Sequence, residues 1–150
     1  MNKTVKVLIL LIVLGLLGGV VGYKMYNKPH ENIESKGADF SLTADELMQE
    51  FEANEQEALK KYKDQLIELS GTVEGTNKSE NGGVTVLFVN NGTSMGNVKA
   101  GLQAESAEQA ASLESGASIK VKGRLTGSNK LEEMGINILD IELSRCVIVE

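Results

Sequence analysis

Apolar residues recur along this chain with several spacings, and each spacing marks a different kind of element. Residues 7–22 (VLILLIVLGLLGGVVG) are apolar without a break, with Lys3 and Lys6 before them and Lys24 and Lys28 after. Further on the spacing becomes helical. Leu47, Phe51, Ala58 and Tyr62 form a stripe that Met48 and Leu59 widen, opposite Glu50, Glu52, Glu55, Glu57, Lys60 and Lys61. Thr43 and Glu46 have the spacing of a capping box, in which each side chain satisfies a backbone N–H of the first turn. Leu42 is placed to staple against Leu47. One amphipathic helix is therefore predicted to start after Thr43 and to pack its stripe on a core.

After Asp64 the period falls to two. Ile67, Leu69, Gly71 and Val73 alternate with Glu68, Ser70, Thr72 and Glu74, the signature of a strand with one buried face. Gly71 inside that pattern predicts a bulge or a close backbone approach. A turn-rich stretch at 75–83 leads to a second strand over 84–90, and Asn91-Gly92 is a hairpin signal before a third strand near 97–102. Residues 106–113 (SAEQAASL) predict a short helix with Ser106 as N-cap and Gly116 closing it. A fourth strand follows at 119–125. Gly127-Ser128-Asn129 signals a turn, and a long fifth strand runs through Ile136, Ile138, Ile141 and Leu143.

The predicted fold is mainly β with α. Five strands with a helix between the third and fourth is the layout of the OB-fold, a small, partly open Greek-key barrel. The preceding helix would cover an open end. A two-layer α+β sandwich is the alternative.

The first 28 residues are predicted to be an N-terminal transmembrane signal-anchor. The 16-residue run makes roughly 24 Å of helix, a little short of the roughly 30 Å hydrocarbon core. Val5 and Tyr23 lengthen it, Lys6 and Lys24 are placed to snorkel, and Tyr23 and Tyr26 occupy interfacial positions. The run exceeds the usual signal-peptide core, which favours an uncleaved anchor over a cleaved leader. Lysines flank both ends almost equally, but the short basic tail before the run is the usual signal-anchor layout. The C-terminal domain is therefore expected outside the cytoplasm. Residues 29–40 read as a polar juxtamembrane linker, and 41–150 as the OB-fold domain with its N-terminal helix.

Charge narrows the ligand. The first 28 residues hold four lysines and no acids; taking those four from 15 basic residues leaves 11 against 21 acidic, a net of −10. Nucleic-acid affinity rests on clustered Lys and Arg against phosphates and, for single strands, on aromatic stacking. Beyond the anchor only Phe40, Phe51, Tyr62 and Phe88 are aromatic.

Candidate chemistry is sparse. Cys146, the lone cysteine, lies in an apolar stretch and reads as a small buried hydrophobe. His30, the lone histidine, sits in the linker with no cysteine nearby. Asn77, Ser79, Glu80, Asn81 and Gly82 offer oxygens but lack the alternating acids of a calcium loop. Asp140 and Glu142 share a strand face without a nucleophile beside them. No catalytic residues, metal ligands or cofactor site are predicted. The one basic patch the chain can assemble is Lys120, Lys122 and Arg124 on one strand face, with Lys99 near it and Phe88 as an aromatic, and these are the candidate ligand-binding residues.

Several stretches are familiar together. They are Thr43-Ala44-Asp45-Glu46-Leu47 with Phe51, Asn54-Glu55, Ala58 and Lys61-Tyr62, then Ile67-Glu68-Leu69-Ser70-Gly71-Thr72-Val73. Leu113-Glu114-Ser115-Gly116, Val121-Lys122-Gly123-Arg124 and Asp140-Ile141-Glu142-Leu143 with Cys146 complete the set. Over residues 40–149 the chain resembles the tRNA_anti-like family of OB-fold proteins, common as small membrane-anchored or lipoprotein-type bacterial proteins. The resemblance implies an OB barrel behind a helix and carries over no catalytic residue. Its analogy to anticodon-binding domains is one of fold. The expectation is a non-enzymatic OB-fold module tethered to the membrane, binding a protein or carbohydrate partner at the bacterial envelope. The alternatives are a nucleic-acid-binding OB protein and a structural envelope component.

Overall fold

The computed structural model describes residues 33–149, together with Val5, Gly15, Gly18, Gly19, Val20, Gly22 and Tyr23, which are helical. The chain divides into two compact units, residues 1–32 and 33–150. The predicted anchor lies almost wholly outside the described residues, and among those no helix is long and apolar enough to cross a membrane.

The second unit is mainly β. Its elements are β1 (Phe40–Thr43), α1 (Ala44–Ala53), α2 (Glu55–Tyr62), β2 (Leu66–Lys78), β3 (Val84–Phe88), β4 (Val98–Leu102), α3 (Ala104–Ala111), β5 (Ser118–Glu133) and β6 (Ile136–Val149). Five strands close a hydrogen-bonded ring in the order β2–β3–β4–β6–β5 and back to β2. The β4–β6 pair is parallel and the other four are antiparallel. This is the OB-fold layout rather than an open two-layer sandwich. Within the ring β2 serves two neighbours. Residues 66–72 pair with β5, and from Val73 on the strand pairs with β3, with a register shift between Val73 and Gly75 just after it changes partner.

The core follows the alternation. Ile67, Leu69, Val73, Val86, Phe88, Val98, Ala100, Val121, Leu125, Ile141, Leu143 and Cys146 are buried in the ring, and Leu47, Met48, Phe51, Ala58 and Tyr62 pack on them from the helices. Gly71 is a close approach: a Cβ there would lie 2.7 Å from Phe88 Cδ1 and 3.1 Å from Ala44 Cβ.

Several predicted features differ in the structure, each for a local reason. The single predicted helix is two, because Asn54 (φ −158°) breaks it: its backbone N–H caps α1 and its side chain accepts from Glu57 N to start α2. A sixth strand, β1, lies parallel to β2 outside the ring. Ser106 is not an N-cap. The helix starts after Gln103, and Ser106 is buried, its hydroxyl accepting from Ile148 N. Asn91-Gly92 forms no tight hairpin. The β3–β4 connection is a longer loop in which the Asn90 side chain donates to Ser94 O and Gly96 O and accepts from Gly92 N. The turn predicted at 127–129 is strand: β5 runs on to Glu133, its register shifts against β6 lie between Lys122 and Arg124 and between Leu125 and Gly127, and the reversal falls at Met134-Gly135 (φ +53° and +79°).

The stretch before β1 also packs on the domain. Ile33 is buried with Leu66 and Val147. Asp39 bonds both backbone groups of Leu66, donating N–H to its carbonyl and accepting from its N–H at 2.8 Å.

Candidate nucleic-acid and protein interface

The predicted basic patch exists, but its charges are engaged. Lys120, Lys122 and Arg124 alternate along β5 and so share one face of the strand. Lys120 pairs with Glu68 at 3.3 Å. Lys122 is 9% exposed and donates from Nζ to the carbonyls of Glu34 (3.3 Å) and Lys36 (3.0 Å). Arg124 donates to the Asp64 carbonyl. Residues 33–36 therefore lie over this face, with Ile33 as their apolar anchor. Lys99 is elsewhere. It pairs in register with Glu142, whereas Lys120 pairs with Val149, seven residues along β6, roughly 23 Å away. Lys99 makes a 2.7 Å ion pair with Asp140, which also accepts from Asn97 N. Phe88 is 0% exposed against Gly71, so its ring has no face to offer a ligand. Phe51 and Tyr62 are buried too, and Phe40 packs edge-on against Tyr62 with ring centroids 4.9 Å apart.

A groove of about 610 Å³ opens between the start of α1 and strands β2, β5 and β6. Its lining is mostly short and uncharged: Thr43, Ser70, Thr72, Asn91 and Ser118 around Ala44, Ile119 and Ile148. Its two charged residues are committed, Lys120 to Glu68 and Asp45 to the Asn91 side-chain amide at 3.0 Å. Hydroxyls and amides of this kind orient a neutral ligand and supply no acid–base pair.

The groups whose ionisation is perturbed serve structure. Burial opposes ionisation of Glu52, yet its hydrogen bonds from Ser94 and Thr93 hold the carboxyl below its ordinary range, which pins the β3–β4 loop to α1. A hydrogen bond from Lys61 lowers Glu50, assisted by the Tyr62 hydroxyl. Burial pushes the Cys146 thiol up to about 12, so it is no nucleophile at neutral pH. Among the described residues no group of three His, Cys, Asp or Glu is placed to hold a metal ion. His30 lies outside them.

What the sequence pattern did not single out is the exposed apolar face of the β5–β6 hairpin. Leu131 is opposite Ile138 on β6, and Ile138 in turn is bridged to Met95. The three stand in a row on one face, with Ile136 two residues on and Met134 at the tip. Met95 is 62% exposed, Leu131 49%, Ile136 46% and Met134 fully exposed. Once the turn is set at Met134-Gly135, these are apolar residues on a ribbon extending past the ring, with no layer to cover them. The misplaced turn concealed that signal.

A solved lipoprotein from Klebsiella pneumoniae subsp. pneumoniae, provisionally designated nucleic acid-binding, shares the fold. The similarity covers 72% of this chain and 91% of that one at 16% identity, with a TM-score of 0.52. The asparaginyl-tRNA synthetase of Entamoeba histolytica is similar over 58% of this chain and 21% of its own (18% identity, TM-score 0.37). An aspartyl-tRNA synthetase of Leishmania major is similar over 88% and 26% (10% identity, TM-score 0.46). This chain thus spans about a quarter or less of either synthetase. No curated protein sequence matches the chain. The tRNA_anti-like family model matches residues 1–135, from the N-terminal segment to the β5–β6 turn and so all of the ring strands but β6, and the chain belongs to the tRNA_anti-like family.

Proposed function

We propose that this chain is a non-catalytic OB-fold binding module, held at the bacterial envelope by its N-terminal apolar segment, with a protein as its partner. The observation that carries the reading is the contrast between two surfaces. The β5 cations are engaged with acids and backbone carbonyls, while Leu131, Met134 and Ile136 on the hairpin, and Met95 of the β3–β4 loop beside it, stand exposed. Apolar side chains rimmed by polar ones mark a protein-interaction surface, and methionine adapts to varied partner shapes. Residues 33–149 hold no exposed aromatic ring, which disfavours a carbohydrate or a base as the stacked ligand. The lysine-flanked apolar run at 7–22 supports the tether, and the Klebsiella neighbour is itself a lipoprotein. The domain's place outside the cytoplasm belongs to the same proposal.

Nucleic-acid binding is the second reading, favoured by the family and by the designation of that neighbour. The test is a titration of the full chain with a fluorescent single-stranded oligonucleotide and with transfer RNA at low salt. The proposal expects no saturable binding. Binding that weakens linearly in log[salt] would make a nucleic acid the ligand instead. A reporter active only outside the cytoplasm, fused after the last residue, checks the placement: it is expected to be active, and an inactive but membrane-bound fusion would overturn it.

A further inference from the structure

Beside the exposed apolar row lies an unpaired strand edge. Leu139 N donates to Met95 O, Ile141 N donates to Asn97 O, and Met95 N donates to Asn137 O. The backbone groups of 137, 139 and 141 therefore face the 95–97 segment, away from β5. In an antiparallel pair the groups then alternate: 136, 138 and 140 bond across to β5 at 133, 131 and 129. It follows that the N–H and C=O groups of Ser128, Lys130 and Glu132 point outward from the sheet. β2, the ring neighbour of β5 on that side, pairs with it only as far as Arg124. Among the described residues no backbone bond beyond Leu125 reaches this edge from outside the hairpin.

An open edge beside an apolar face specifies the form of its occupant. Main-chain groups in a row call for an extended segment, and a side chain on every second residue of that segment would extend the Met95–Ile138–Leu131 row. The local charge specifies more: Ser128, Lys130 and Glu132 share the other face of β5, where Lys130 pairs with Glu132 and the Ser128 hydroxyl donates to the carboxylate of Glu55, so two acids stand there against one cation. A second copy would bring the same acids to the same edge, and residues 29–150 carry a net charge of −10, so a basic partner is favoured.

We propose that the outer edge of β5 at Ser128–Glu132 receives an extended segment of a partner protein as an added strand, apolar on one face and bearing lysine or arginine on the other. This rests on the protein-binding reading above and names where and how the partner docks. Lys130 and Glu132 on the edge are the charges that keep it from pairing indiscriminately.

The probe is a short synthetic peptide of alternating valine and lysine, added to the full chain. Controls are the same peptide N-methylated on the backbone groups that would bond, and one with glutamate for lysine. Amide exchange at residue resolution is expected to slow at 128, 130 and 132, with about tenfold weaker binding for each control and for Leu131→Asp. Leu131 is half exposed, so that variant folds. Lys130→Pro, which removes an outward N–H and no β5–β6 bond, is expected to abolish the protection. Protection elsewhere, in the 610 Å³ groove for instance, overturns the added strand and leaves a protein-binding module standing. No protection anywhere also overturns it, and if the chain then retains single-stranded nucleic acid, the protein-binding reading falls with it.

Discussion

Replacing Gly71 with alanine should destabilise the domain, and by an amount that depends on Phe88. The new Cβ would lie 2.7 Å from Phe88 Cδ1, about 1 Å inside ordinary carbon–carbon contact. Phe88 is 0% exposed, so its ring cannot withdraw into solvent, and Ala44 Cβ lies 3.1 Å from the same point. Overpacking of this kind costs about 1–3 kcal/mol. Phe88→Ala alone should cost about 3–5 kcal/mol, the range for emptying a buried aromatic site. In the double variant the Cβ enters the cavity the ring has left, so the alanine at 71 should cost little more, a coupling of about 1–2 kcal/mol. Chemical denaturation followed by far-ultraviolet circular dichroism measures all four chains. Additivity to within about 0.5 kcal/mol would refute the contact. Full stability of Phe88→Ala would put the ring back on the surface as a ligand residue.

Three further outcomes follow from single side chains. Glu52 has a folded-state pKa below its ordinary 4.5, so its contribution is present above that value and is lost as pH falls toward the folded one. Glu52→Gln should therefore be about 1 kcal/mol less stable at neutral pH, allowing for solvent screening, and the difference should shrink below pH 4.5 in acid titrations of stability; a gap that widens in acid would reverse the assignment. Native chain at mildly alkaline pH should resist thiol alkylation, because the Cys146 thiol is buried with its pKa near 12; modification without unfolding would contradict that burial. Lys122→Ala should speed amide exchange over 33–37 while costing only about 1 kcal/mol, since the freed carbonyls of Glu34 and Lys36 turn to water; unchanged exchange there would mean that Lys122 does not hold the segment.

The elements legible in the sequence were those whose signals are local. The Thr43–Glu46 capping box is present with both of its bonds, Thr43 N donating to Glu46 Oε2 at 2.8 Å and Glu46 N to Thr43 Oγ1 at 3.1 Å. The alternation at 67–73 buries the residues it should, and Gly71 marks a close approach. Where two signals competed, the tertiary partner decided. Gly127-Ser128-Asn129 reads as a turn in isolation, yet Asn129 pairs with Asp140 and Ser128 is bonded to Glu55, which carries the strand past them. That displacement hid the apolar hairpin face and the open edge, because both exist only once β5 reaches Glu133. The basic patch was legible as an alternation of Lys and Arg. Its engagement was not, because it depends on residues 33–36 folding back across 86–88 positions of sequence to reach Lys122. Asn54 was visible in the sequence, but a helical stripe continuing on both sides of it concealed the break.

The most direct test of the account is photo-crosslinking in living cells, with a photoreactive residue placed at 131 or 136 on the hairpin and at 57 on the exposed face of α2 as control. Protein adducts resistant to nuclease are expected from the two hairpin positions, and none from position 57. Adducts that vanish on nuclease treatment, or equal labelling from all three positions, would contradict it.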